Sequence, residues 1–261
     1  MNNNTITTEK TYFLVIKFKI SGSLRFLSHS QMLNVFHRAC IRAELNLQYS
    51  QGFNPRPKIS LPLPRPVGIE SDDELIVIPC IDSSEQSFLE DSDDNQLALQ
   101  SLQALSVQLP DSCKLISAQI VLKKTPFQPC EASYIFTIDE KYFDKNLQNK
   151  IDVLLNNESL FIERPIGNKG KARERYAKKS EQNQSRENIS TGNLKSKFTK
   201  KIDIRSFLIS IVIKQNCIII KYRISPEGSI RINEIMDLLD LNIEYLACPI
   251  KRTNVKWQED K

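Results

Sequence analysis

The run Tyr12-Phe13-Leu14-Val15-Ile16-Lys17-Phe18-Lys19-Ile20, followed beyond Gly22 by Ser28-His29-Ser30-Gln31, decides how this chain starts to fold. Tyr12, Leu14, Ile16, Phe18 and Ile20 take alternate positions, so the run reads as a strand with one apolar face. Ser28 with Gln31 three residues on fits a capping box and opens a helix. That helix puts Met32, Phe36, Ala39, Cys40 and Ala43 on one stripe and Arg38 and Arg42 on a more polar face. A proline-rich run follows, residues 49–58, and then residues 59–63. Pro62, Pro64 and Pro66 keep that piece from being a regular central strand. Residues 74–79 read as a strand, 85–105 as partly helical and 114–121 as another strand.

A second cycle follows. Residues 133–138 read as a strand, 144–155 as a helix, and 159–163 as the start of a strand that a polar stretch interrupts. Residues 204–213 and 217–224 form a hairpin about Lys214-Gln215-Asn216, 231–239 a helix and 251–257 the last strand. Two β-α-β-β-α-β cycles predict an α+β chain of two tandem ferredoxin-like halves, residues 11–128 and 129–261, behind a disordered N-terminus at 1–10.

Composition narrows the function classes. The 261 residues include only seven Gly, two His and six Cys. No two Gly stand at i and i+2, and no Gly is followed at the right spacing by Gly-Lys, so neither a dinucleotide turn nor a P-loop can be written. The cysteines never come closer than Cys113 and Cys130, which excludes C-x-x-C zinc pairs and iron–sulfur runs. No cofactor and no metal site is therefore expected. Apolar runs are too short to span a bilayer, so no membrane partner is expected. The first residues carry no export signal, and with scattered cysteines this predicts a reduced, cytoplasmic protein.

The net charge of +5 is uneven. Twelve of the 36 Lys/Arg and three of the 31 Asp/Glu fall between Arg164 and Lys201, so this stretch carries +9 and the remainder −4. Residues 167–199 are poor in large apolar side chains, which predicts a disordered insertion within the second half. Its Lys171, Arg173, Arg175, Lys178 and Lys179 suit a phosphate backbone, because each contact releases condensed counterions. The competing reading is a solubilising insertion without a specific partner.

The densest chemical cluster lies between Gly22 and Lys58: Arg25, His29, Arg38, Arg42, Tyr49, Gln51, Phe53, Asn54, Arg56 and Lys58. His29 in a first helical turn sits where the dipole favours neutral imidazole and where free N–H groups receive anions. It is the candidate general base or acid, against a surface role with one hydrogen bond; His37 reads as structural. Tyr49 and Phe53 among cations on a proline-stiffened loop would stack bases and hold phosphates. Alternatively Phe53 plugs the core. Arg65, Arg231 and Arg252 read as lone solvated cations at element ends. Asp72-Asp73-Glu74 reads as a solvated acidic loop rather than a metal site.

Gly22-Ser23-Leu24-Arg25-Phe26-Leu27-Ser28-His29, Arg38-Ala39-Cys40-Ile41-Arg42-Ala43 and Tyr49-Ser50-Gln51-Gly52-Phe53-Asn54-Pro55-Arg56-Pro57-Lys58-Ile59-Ser60 together resemble the uncharacterised radical-SAM-linked protein family. The run Pro66-Val67-Gly68-Ile69-Glu70 extends the likeness; the later parts of the chain resemble it weakly. Members are fused to, or encoded beside, cobalamin-binding radical SAM proteins, often near ribonuclease and ribosomal-protein genes. The family commonly has an acid two residues after the His, where this chain has Gln31. The chain has no C-x-x-x-C-x-x-C of its own to hold a radical SAM cluster.

The resemblance and the charge map together imply a non-catalytic accessory module. It would bind RNA or a ribosome-related ribonucleoprotein and act with a separate radical SAM protein. No DNA preference can be read. The alternatives are a protein–protein scaffold for that enzyme, or a metal-independent endoribonuclease using His29. The nuclease reading leans on a likeness to CRISPR repeat-processing enzymes, which carry a glycine-rich C-terminal loop where this chain has only Gly228.

Overall fold

The computed structural model describes residues 10–82, 91–123, 125–143, 146–165 and 199–258. The first strand, β1 (Lys10–Ile20), buries Leu14, Ile16, Phe18 and Ile20 as its alternation requires. Helix α1 (His29–Arg42) lays Met32, Phe36, Ala39 and Cys40 against that face. Phe36 meets Phe18 edge-on, ring centres 4.8 Å apart and planes at 68°, an arrangement that sets ring edge against ring face. Next come β2 (Glu70–Asp82), α2 (Asp91–Ser106) and β3 (Cys113–Val121). β1 pairs antiparallel with both β2 and β3.

The later part of the chain builds β4 (Pro129–Thr137), α3 (Asn146–Asn156), β5 (Phe161–Pro165), β6 (Thr199–Asp203), β7 (Leu208–Lys214), β8 (Cys217–Arg223), α4 (Ile232–Leu238) and β9 (Lys251–Trp257). Seven strands form one sheet in the order β3-β1-β2-β9-β4-β8-β7, while β5 and β6 form a separate two-stranded ribbon. The chain is thus α+β, with one apolar core beneath each part of the sheet. Among the described residues no helix is long and apolar enough to cross a membrane.

Residues 59–63 form no regular strand, as their prolines require; only Ser60 bridges Val77, each N–H donating to the other's carbonyl at 2.9 Å. Prolines at 62, 64 and 66 supply no amide hydrogens to extend the pairing. The piece expected at 159–163 is β5, and it joins β6 in the ribbon rather than the main sheet. The proposed insertion lies outside the described residues apart from Thr199, as does the N-terminal segment apart from Lys10.

The two parts of the sheet meet where β2 runs parallel to β9. Only two residue pairs define that ladder, Glu70 with Lys251 and Ser71 with Arg252. Side chains complete it. The Val255 N–H donates to Asp73 Oδ2 at 2.8 Å, and Arg252 Nη2 donates to Glu74 Oε1 at 2.5 Å. Lys251 faces Asp72 at 3.6 Å. Asp73 and Glu74 are therefore not solvated loop acids: they lie in β2 and are buried. Nor is Arg252 a solvated cation, since its exposure is 0%. A buried charge is tolerable only when paired, so each member of the Arg252–Glu74 couple depends on the other.

Arg65 is a second correction. It is buried, and its guanidinium donates to the carbonyls of Leu24, Arg25, Leu27, Pro66 and Ile69. One side chain thus clips the turn before α1 to the loop before β2. Arg231, by contrast, does stay exposed, ahead of α4.

Replacing Arg252 by Ala leaves Glu74 buried without a countercharge and should cost about 3–5 kcal/mol. The double replacement Arg252→Met with Glu74→Leu should cost much less than the sum of the single changes. Urea unfolding followed by the single Trp, Trp257 on β9, measures both. Additive costs would show that the pair is not coupled.

Candidate functional site

The capping box at α1 forms as the sequence requires. The Gln31 N–H donates to Ser28 Oγ at 3.4 Å, and the Ser28 N–H donates to Gln31 Oε1 at 2.8 Å. Gln31 therefore serves as a cap, a role that an acid at this position would share. His29 follows in the first turn, half-buried. It borders a crevice of about 10 Å³ shared with Met32, Leu61, Arg65 and Glu74. That is space for about one water and not for a scissile phosphate.

Arg25 lies in a single 3₁₀ turn, Gly22–Phe26. Its Nη1 donates to the Gly22 carbonyl at 3.0 Å and stands 3.9 Å from Glu70 Oε1, while the guanidinium lies over the Phe26 ring at 4.3 Å. Gly22 has φ +59, and Glu70 Oε1 accepts its N–H at 3.0 Å. Arg38 and Arg42 face elsewhere. They line a shallow groove of mixed polarity between α1 and the segment after α2, where Arg42 donates to the side chain and carbonyl of Gln108 at 3.0 and 2.6 Å.

Residues 48–58 form a pinned finger. The Ser50 N–H donates to the Arg56 carbonyl at 2.8 Å, the Arg56 N–H to Ser50 Oγ at 3.0 Å, and the Lys58 N–H to the Gln48 carbonyl at 2.9 Å. Tyr49 bridges Pro57. Gly52 at the tip has φ +133, which only glycine adopts without strain. Phe53 is wholly exposed, at 106% of its reference area, and so does not plug the core. Tyr49, Gln51, Asn54, Arg56 and Lys58 are exposed around it. On the neighbouring helix His37 is half-buried, and its Nε2 has no hydrogen-bond partner. Burial, then the charge of Arg56, pushes its pKa below the ordinary imidazole value. Its charge state is thereby tied to the finger.

The predicted residues thus divide among four places: the finger, the α1–α2 groove, Arg25 in its 3₁₀ turn and His29 at its small crevice. Lys171, Arg173, Arg175, Lys178 and Lys179 lie outside the described residues. At the base of the ribbon from which that stretch departs, Arg164 grips Glu234 with two bonds, 2.6 and 2.7 Å, and donates to the Ser229 carbonyl at 2.7 Å.

Arg25 borders a feature the sequence did not disclose. A cleft of about 820 Å³ opens between the loop of residues 63–69 and the wall formed by α4 and residues 243–250. Arg252, Tyr134 and Tyr222 also line it. The two tyrosines stack, ring centres 5.4 Å apart and planes within 10°, and burial pushes the Tyr222 pKa far above its ordinary value. The readable signal was phase. Glu74 continues the inward positions of Ile76, Ile78 and Cys80, and an acid on a core-facing position calls for a buried cation.

A family model described as "Uncharacterized protein conserved in bacteria (DUF2344)" matches residues 14–232. No curated protein matches the chain.

The thiols give a direct check of this geometry. Burial pushes Cys40 and Cys113 up to about 12 and Cys80 up to about 11. Cys248, on the cleft wall, is exposed. At about pH 8 an alkylating reagent should mark Cys248 first and leave Cys40, Cys80 and Cys113 unmarked until the chain unfolds. Because the unfolded thiols ionise first, stability should fall as pH rises from about 9 towards these raised values. Rapid native labelling of Cys40 would contradict this packing.

Proposed function

The chain belongs to the bacterial family whose model spans it, and we propose that this member is a non-catalytic module that binds RNA and acts with a separate radical SAM protein. The observation that carries the reading is Phe53. A fully exposed aromatic on a loop closed by its own hydrogen bonds is held out at little further entropic cost. Every base has a π-face, so such a ring stacks bases with little sequence preference. Arg56 and Lys58 stand beside it for phosphates, and Tyr49 offers a second ring.

The +9 stretch from Arg164 to Lys201 supplies long-range attraction for the same polyanion. The Arg164–Glu234 grip fixes where it leaves the fold. A ferredoxin-like reading of each half is supported by strand order: β9-β4-β8-β7 in the second, and β3-β1-β2 followed by the bridging pieces at Leu47 and Ser60 in the first. The radical SAM partner rests on the resemblance carried by residues 22–60.

Phe53→Ala should weaken single-stranded RNA binding about 5- to 100-fold, in line with the cost of one lost stack. Lys58→Ala should lower the slope of log affinity against log salt by about one unit. Both residues are exposed, so the variants should keep the wild-type unfolding midpoint. Fluorescence anisotropy with a labelled RNA across a salt series reads both effects. RNA affinity unchanged by either variant and by salt would overturn the reading. If the finger instead serves as a protein-docking site, Phe53→Ala would release the radical SAM partner while RNA affinity stays the same.

A further inference from the structure

We propose that the cleft between residues 63–69 and the α4 wall is a small-molecule site for an organic anion, one carboxylate or phosphate on a flat apolar body. The inference is independent of the RNA reading and uses different residues from the finger.

Charge is the first support. The lining of the cleft carries three guanidiniums, Arg25, Arg231 and Arg252, and no carboxylate. Glu70, Glu74 and Glu234 pair with Arg25, Arg252 and Arg231 at 3.9, 2.5 and 3.9 Å but do not themselves line the cleft. The lining thus offers guanidinium donors and no competing carboxylate acceptor, which suits an anionic group over a cationic one.

Arg252 is the second. It is fully buried, and only its Nη2 is engaged, by Glu74. Nε and Nη1 find no acceptor among the described residues. Arginine presents a planar fork matched to two oxygens, and a fork with one tine held and the others free has unused capacity for an oxyanion. Buried donors without partners are rare enough to call for a reason, and binding is a common one.

Shape and surface are the third. The cleft has the volume of a cofactor-sized site. The stacked Tyr134 and Tyr222 rings line the cleft together with Arg252. Pro64, Val67, Ile230 and Met236 give the remainder an apolar surface. An inorganic ion would leave that surface uncovered, and a neutral apolar molecule would leave the Nε and Nη1 donors of Arg252 without an acceptor. An anion carrying an apolar body answers both.

Cys248 on the wall is an exposed free thiol and reports occupancy directly. The full chain would be treated with a maleimide at pH 7 in the presence of 2-naphthoate, 2-naphthyl phosphate or neutral 2-naphthol, and labelling at Cys248 followed by peptide mass mapping. Either anion should slow labelling at a concentration about tenfold below that needed for naphthol. Which of the two is better distinguishes a carboxylate from a phosphate site. Arg231→Ala, at a side chain 58% exposed and so safe for folding, should weaken protection by either anion severalfold and leave the naphthol value unchanged. Equal protection by naphthol and both anions, or none by any of them at millimolar concentration, would overturn the proposal. Phe53→Ala should not alter the protection, which separates this site from the RNA-binding finger.

Discussion

A single ion pair, Arg252 with Glu74, sits where the sheet is weakest. The parallel contact between β2 and β9 has two residue pairs, too few to hold seven strands in one sheet by backbone bonding alone. The junction is extended by side chains instead. Asp73 receives an amide that would otherwise seek a ladder carbonyl, and Glu74 neutralises an arginine that has no access to solvent. Removing two charges from water costs several kcal/mol each, and only close geometry with further hydrogen bonds offsets it. The pair therefore imposes a constraint: β9 must lie in register with β2, because any slip leaves both charges stranded. The cleft exists because this register is fixed, with the loop of residues 63–69 on one side and α4 on the other.

Around that junction the chain places its chemistry in separate stations. Arg65 clips the turn before α1 to the loop that forms one cleft wall, so the Arg25 position and the cleft mouth are set by one guanidinium. The finger at residues 48–58 is closed by its own backbone and projects an aromatic that no core contact requires. The ribbon of β5 and β6 is fastened to α4 through Arg164 and Glu234, and α4 is in turn a wall of the cleft. Events at the ribbon and at the cleft therefore act on the same short helix, whereas the finger is carried by the first half of the sheet.

Much of this was legible in the chain. The alternation of Tyr12 to Ile20 and the Ser28–Gln31 box specify β1 and α1 by local rules, and nothing elsewhere in the fold overrides them. The hairpin through Lys214-Gln215-Asn216 and the closing strand at residues 251–257 were readable for the same reason. What escaped was non-local. Arg252 and Glu74 are 178 residues apart, and each alone resembles a solvated charge at an element end. That residues 59–63 are no regular strand was legible from their prolines, whereas the one bridge from Ser60 to Val77 was not. Arg65 reads as a cation in a proline-rich loop, and only the convergence of five carbonyls shows why it is buried. Phe53 could have been core or surface by composition; the hydrogen bonds that close the finger decide it.

If the Arg252–Glu74 junction unites the sheet, its strands must open together. The Val255 amide, donating to Asp73 at the seam, is the reporter that distinguishes a united sheet from two docked halves. Native-state hydrogen exchange should give this amide the same opening free energy as amides in the centres of β1 and β8, with all three falling in parallel as denaturant rises. Exchange at Val255 through a smaller, denaturant-insensitive opening, while β1 and β8 stay protected, would contradict the account.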